Sequence, residues 1–97
     1  MTELPKIGTE GWKIVYPGQI GEKVYISKAT IRCIFIDQSG VYYLPGDMSG
    51  KHNRIYLTKQ EADTALKEYV EYMEKFHNRQ FVVDETKSFV LVGYKGR

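Results

Sequence analysis

Few residues in this chain could do chemistry, and they are scattered. His52 lies in a glycine loop beside Lys51, and His77 lies near the end of a helical stretch. Asp47 and His52 could touch one metal ion, but two ligands on one loop fall short of a zinc site's protein ligand set. Cys33 sits among isoleucines and Phe35, so an inert buried thiol is expected. Ser27, Ser39, Ser49 and Ser88 have no nucleophile motif around them. Gly46 to Gly50 lacks the Gly-Lys-Ser/Thr ending that lets a loop cradle phosphates. Asp84-Glu85 reads as a solvated turn. The expectation is a protein that is not an enzyme and uses no metal and no cofactor.

A binding surface is the better reading. It would comprise Tyr43, Lys51, His52, Arg54 and Tyr56. On a strand through Arg54-Ile55-Tyr56-Leu57, alternate side chains face opposite sides. With Ile55 and Leu57 turned inward, Arg54 and Tyr56 point outward beside Lys51, His52 and Tyr43. Such a surface suits a protein partner. Basic groups interleaved with aromatics also hold phosphates and stack bases. An ordinary edge strand guarded by charge has the same composition.

The elements that must position these groups follow from the pattern. Residues 1–11 carry Pro5, Gly8 and Gly11 and read as an irregular arm, leaving 12–97 as a single domain. Strands are expected at Trp12–Tyr16, Lys23–Ile26 and Thr30–Asp37. The third is apolar on both faces and is expected to be central or strongly curved. Gly40 marks a turn into Val41–Leu44, and a glycine loop from Pro45 to Asn53 leads to the Arg54–Leu57 strand.

Thr58 and Glu61 then form a Thr-x-x-Glu capping box, with the glutamate reaching back to the Thr58 amide. The helix spans about 59–77. Ala62, Ala65, Leu66, Tyr69, Val70, Met73 and Phe76 share one stripe, and Asn78 is a left-handed stop. A C-terminal hairpin joins Gln80–Asp84 to Ser88–Tyr94, and Lys95-Gly96-Arg97 forms a basic tail. The fold class is α+β: a small curled antiparallel sheet or partly closed barrel of about five short strands, one amphipathic helix and a C-terminal β-hairpin.

The chain has 97 residues, enough for one modest core. Its net charge of +2 is too small to imply nucleic acid by itself and has the wrong sign for an acidic DNA mimic. One cysteine excludes an internal disulfide and fits a reducing cytosol. The start has no apolar run, and no window approaches a membrane span, so a cytoplasmic protein with no membrane partner is expected. Eight tyrosines stand out, a residue suited both to half-buried sheet surfaces and to interfaces.

Gly18-Gln19-Ile20, Tyr42-Tyr43-Leu44 and Ile55-Tyr56-Leu57-Thr58-Lys59-Gln60-Glu61-Ala62, followed by Ala65-Leu66, resemble small proteins from phages and mobile elements of Gram-positive bacteria. Their shared core is an aromatic strand running into Leu-Thr-Lys-x-Glu-Ala. The resemblance covers roughly residues 12 to 70 and leaves the final hairpin outside it. It implies a phage accessory protein acting in the host cytoplasm. Some proteins of that setting inhibit host defence nucleases, anti-CRISPR proteins among them. The leading expectation is a non-enzymatic interaction module that binds a host or phage protein. A small nucleic-acid-binding barrel and a structural, oligomer-forming phage component are the alternatives, and the oligomeric state is left open.

Overall fold

The computed structural model describes residues 4–46, 50–86 and 88–94. Among them, seven antiparallel strands form one curled, unclosed sheet covered by one helix. The strands are β1 (Glu10–Val15), β2 (Lys23–Thr30), β3 (Cys33–Asp37), β4 (Gly40–Leu44), β5 (Ile55–Tyr56), β6 (Arg79–Val83) and β7 (Phe89–Tyr94). Their spatial order is β3-β4-β5-β1-β2-β7-β6. The α+β architecture is the expected one, in its open form. The C-terminal hairpin β6–β7 continues the sheet by pairing β7 with β2, Val24 opposite Phe89.

The helix α1 (Lys59–Phe76) forms for the reasons visible in the sequence. Thr58 Oγ1 accepts the Glu61 amide at 3.1 Å. The other half of the box differs: the Glu61 carboxylate accepts the Thr58 hydroxyl at 2.9 Å. That contact gives the hydroxyl proton an acceptor while its oxygen caps the helix. His77 is the C-cap, and Asn78, with φ 53°, turns the chain left-handed as expected.

The stripe packs on β5, β1, β2 and β6. Ala62, Leu66 and Val70 are buried, and Leu66 and Val70 join Ile14, Val24, Phe81 and Leu91 in the central cluster. Each large side chain in this layer contributes about 1.5–3 kcal/mol by leaving water. The stripe ends early, since Phe76 is 62% exposed.

Two expectations about strands are corrected. The Thr30–Asp37 run is not one central strand. Thr30 closes β2, and the amide of Ile31 donates to Thr9 O at 2.8 Å. The N-terminal arm therefore takes Ile31 as its partner, and the chain turns before Cys33. The second half, β3, is an edge of the sheet, with Ile36 64% exposed. The strand after the glycine loop is not an edge: β5 is inserted between β4 and β1. The arm also ends sooner than expected, because β1 begins at Glu10.

Asp47, Met48, Ser49, Lys87 and the 95–97 tail lie outside the described residues, as does the side chain of Lys51. No described helix is long and apolar enough to cross a membrane.

Candidate functional site

The site grows from the register of β1 against β5. Trp12 stands opposite Tyr56 and Lys13 opposite Ile55. Directly opposed residues share a face, so Tyr56 lies on the Trp12–Ile14–Tyr16 face, the one α1 covers. Tyr56 accordingly packs against the helix-facing core cluster. Arg54 directly precedes β5, and His52 lies in the short 3-10 turn Lys51–Asn53 before it, where it lines a hollow with Tyr16.

This overturns the expected orientation. Arg54 and Tyr56 do not point away from the protein; they point toward the helix side. Ile55 is buried on the reverse side, where a Cβ on Gly11 would lie 2.5 Å from its Cγ2. Leu57, expected inside, is 39% exposed. Both faces of β5 are covered: α1 lies over the Tyr56 side, and Ile55 on the reverse side is fully buried.

Arg54 is held between two rings. Its guanidinium carbon lies 4.7 Å from the Tyr56 ring centroid and 4.9 Å from that of Tyr42. Both are cation–π distances. Its Nε is buried and has no hydrogen-bond partner among the described residues. Tyr42, rather than the expected Tyr43, completes this sandwich. Tyr43 is half-buried opposite Ile55 and points to the other face of the strand.

Behind Arg54 the tyrosines gather. Tyr16 and Tyr69 meet edge to face at 4.7 Å, and Tyr69 meets Phe81 at 6.3 Å. An Arg79 guanidinium nitrogen donates to the Tyr69 hydroxyl across a long 3.5 Å. Burial pushes the Tyr16 phenol above its usual pKa, with Tyr56 and Tyr69 adding to the rise and Arg54 opposing it. Burial likewise raises Tyr56 against the pull of Arg54, and raises Tyr69 against the pull of Arg79. Like any tyrosine, all three phenols are protonated at neutral pH and able to donate hydrogen bonds; burial moves their ionisation further into the alkaline range.

Two hollows flank Tyr69. A groove of about 560 Å³ runs along one flank of α1, with Tyr56, Tyr69, Tyr72 and Phe76 as its aromatic wall and Glu68 and Glu71 at its margin. Tyr72 and Phe76 touch at 5.1 Å, and both are exposed. The second hollow, of about 370 Å³, is lined by Tyr16, Pro17, His52, Tyr69, Met73 and Arg79. His52 thus belongs to the Tyr16 side and Tyr56 to the groove; Arg54 lines neither, and meets Tyr56 in a further hollow at the helix start with Thr58 and Glu61. His77, at the helix end, is exposed with its ring 5.2 Å from Tyr72. Cys33 is a free, half-buried thiol on the edge strand, not a core residue.

Tyr16, Tyr69, Tyr72 and Arg79 were not among the candidate site residues, and of the pair Tyr42–Tyr43 the other member was chosen. Tyr16 and Tyr69 carried a signal: one shares strand parity with Trp12 and Ile14, the other lies on the helix stripe. Arg79 carried none, because its place depends on how the last hairpin joins the sheet. Among the described residues, no group of three or more His, Cys, Asp or Glu side chains could hold a metal. No protein family, no curated protein and no solved structure matches this chain.

Proposed function

We propose that the chain is a non-enzymatic interaction module that binds a protein partner through the aromatic groove along α1. One observation carries this reading. Tyr72 and Phe76 are exposed side by side on a rigid helix, next to Tyr56 and Tyr69 and under the carboxylates of Glu68 and Glu71. Rigid aromatic anchors of this kind dominate binding energy at protein interfaces.

The groove also states the chemistry of its partner. Its rings already carry cations, Arg54 on Tyr56 and Lys75 on Phe76 at 5.4 Å. Five acidic residues against three basic ones make α1 net negative. A segment with an apolar anchor flanked by lysine or arginine fits the acidic helix, its charge drawn to Glu68 and Glu71 and its anchor to the exposed rings. The resemblance to phage and mobile-element proteins supports a partner in the bacterial host, a defence nuclease being one such protein.

The test is retention of host-lysate proteins on the immobilised chain, run in parallel with a Tyr72→Ser/Phe76→Ser double variant. A partner held by the wild type and lost by the variant supports the reading. Identical retention on both surfaces overturns it. Retention that disappears after nuclease treatment of the lysate favours nucleic acid instead.

A further inference from the structure

The second hollow has a chemistry of its own. We infer that the recess bounded by Tyr16, His52, Tyr69 and Arg79 binds a phosphate group carried on a small aromatic body, as in a nucleotide.

The first support is the sign of the lining. Arg79 and His52 are its two basic residues, and no carboxylate lines it. The second is the state of Arg79. This half-buried guanidinium forms no ion pair among the described residues, and its one hydrogen bond is the long contact to Tyr69. A guanidinium offers five donors in a planar fork that matches phosphate oxygens. Among the described residues only Arg54 Nε is fully buried without a partner, so the Arg79 donors stay open to solvent and available to an incoming phosphate.

The third support is the convergence of neutral donors with an apolar wall. The Tyr16 and Tyr69 side chains line the recess and are neutral hydrogen-bond donors at physiological pH, as tyrosines ordinarily are. Pro17 is buried, and Met73 packs against the core, so one side of the recess is dry. A few convergent polar groups in a mostly apolar recess are the usual form of a small-ligand site. At about 370 Å³ the recess lies at the small end of such sites, which fits one nucleotide and not a longer ligand. Two basic residues in one lining suit a phosphate better than a single carboxylate.

The experiment is an amide and aromatic NMR titration of the full chain with inorganic phosphate, adenosine monophosphate, acetate and a short single-stranded oligothymidylate. Phosphate and the nucleotide are expected to shift resonances of Tyr16, Tyr69 and Arg79, with the nucleotide at least about tenfold tighter because its base adds ring contact. Acetate is expected to be the weakest. Arg79→Gln should weaken nucleotide binding at least about tenfold. His52→Gln, at an exposed residue, should weaken it less and leaves the core untouched, so it serves if Arg79→Gln unfolds.

Binding by the oligonucleotide that exceeds the mononucleotide and falls steeply with salt overturns the single-nucleotide recess in favour of a nucleic-acid surface; the reverse order supports a free nucleotide. No shift at these residues up to about 20 mM phosphate overturns the inference, as does equal binding by wild type and both variants. The Tyr72→Ser/Phe76→Ser variant should bind the nucleotide normally, which separates this site from the protein-binding groove.

Discussion

Lys23 Nζ lies 2.8 Å from Asp84 Oδ2, which ties the first residue of β2 to the turn that follows β6. The same carboxylate organises that turn. Its Oδ1 accepts the Thr86 amide at 2.9 Å, the Thr86 hydroxyl at 2.7 Å and the Ser88 amide at 3.0 Å. One side chain therefore shapes the β6–β7 hairpin and docks it to the sheet. Lys23 first, and then the Thr86 and Ser88 bonds, hold the Asp84 carboxyl well below the usual carboxylate range.

This gives a pH dependence with a definite sign. A group whose folded pKa is depressed contributes stability above its unfolded pKa, about 3.9 for aspartate, and that contribution is lost as pH falls through the folded value. Asp84→Asn should therefore lower stability at neutral pH and flatten the acid limb below about pH 4. Urea melts of both proteins between neutral and acid pH measure it. Parallel acid limbs would contradict this role.

The helix cap gives a second prediction. Thr58→Ala removes the acceptor for the Glu61 amide and should cost about 1 kcal/mol. Denaturant melts with an unchanged slope would report it as a shift in midpoint.

Two positions on one stripe should behave in opposite ways. Leu66 is buried in the central cluster, so Leu66→Ala should cost about 2–5 kcal/mol. Phe76 overhangs into the groove, so Phe76→Ala should change stability by no more than about 0.5 kcal/mol. A large loss at Phe76 would mean that the groove is core and not a surface.

Gly11 tests the covered reverse face of β5. A Cβ there would lie 2.5 Å from Ile55 Cγ2 and 2.6 Å from the Tyr56 carbonyl oxygen. The second contact is with backbone, which cannot step aside. Gly11→Ala should cost about 1–3 kcal/mol, read from thermal or urea unfolding.

Arg54 opposes the burial-driven rise at Tyr16 and Tyr56. Arg54→Gln removes a positive charge that favours the phenolate. Ultraviolet titration should then show those tyrosines ionising at higher pH than in the wild type. An unchanged titration curve would place Arg54 away from the tyrosine cluster.

Much of the local structure was legible in the residues. The Thr58 cap, the Asn78 stop and the Gly40 turn each depend on neighbours a few positions apart, and each is found where the pattern put it; the helix stripe packs as far as Met73 and leaves Phe76 exposed. The site was legible only in part. Arg54 and Tyr56 do meet, because alternation along one strand puts them on one face. Which face that is depends on what lies beside β5. Arg79 entered the site through the β6–β7 hairpin, which no local signal connects to Tyr69.

The sequence by itself determined the helix, its cap and the hairpin turns, because capping, periodicity and turn chemistry act over a few residues; it did not show the break between Thr30 and Cys33. Strand order was decided only in the tertiary structure. Placing β5 between β4 and β1 turned a supposed edge into an interior strand, sent Arg54 and Tyr56 toward the helix, and left the apolar β3 at the border. Those outcomes rest on pairings between residues far apart in the chain, such as Trp12 with Tyr56 and Val24 with Phe89, whose energies no short stretch of sequence contains.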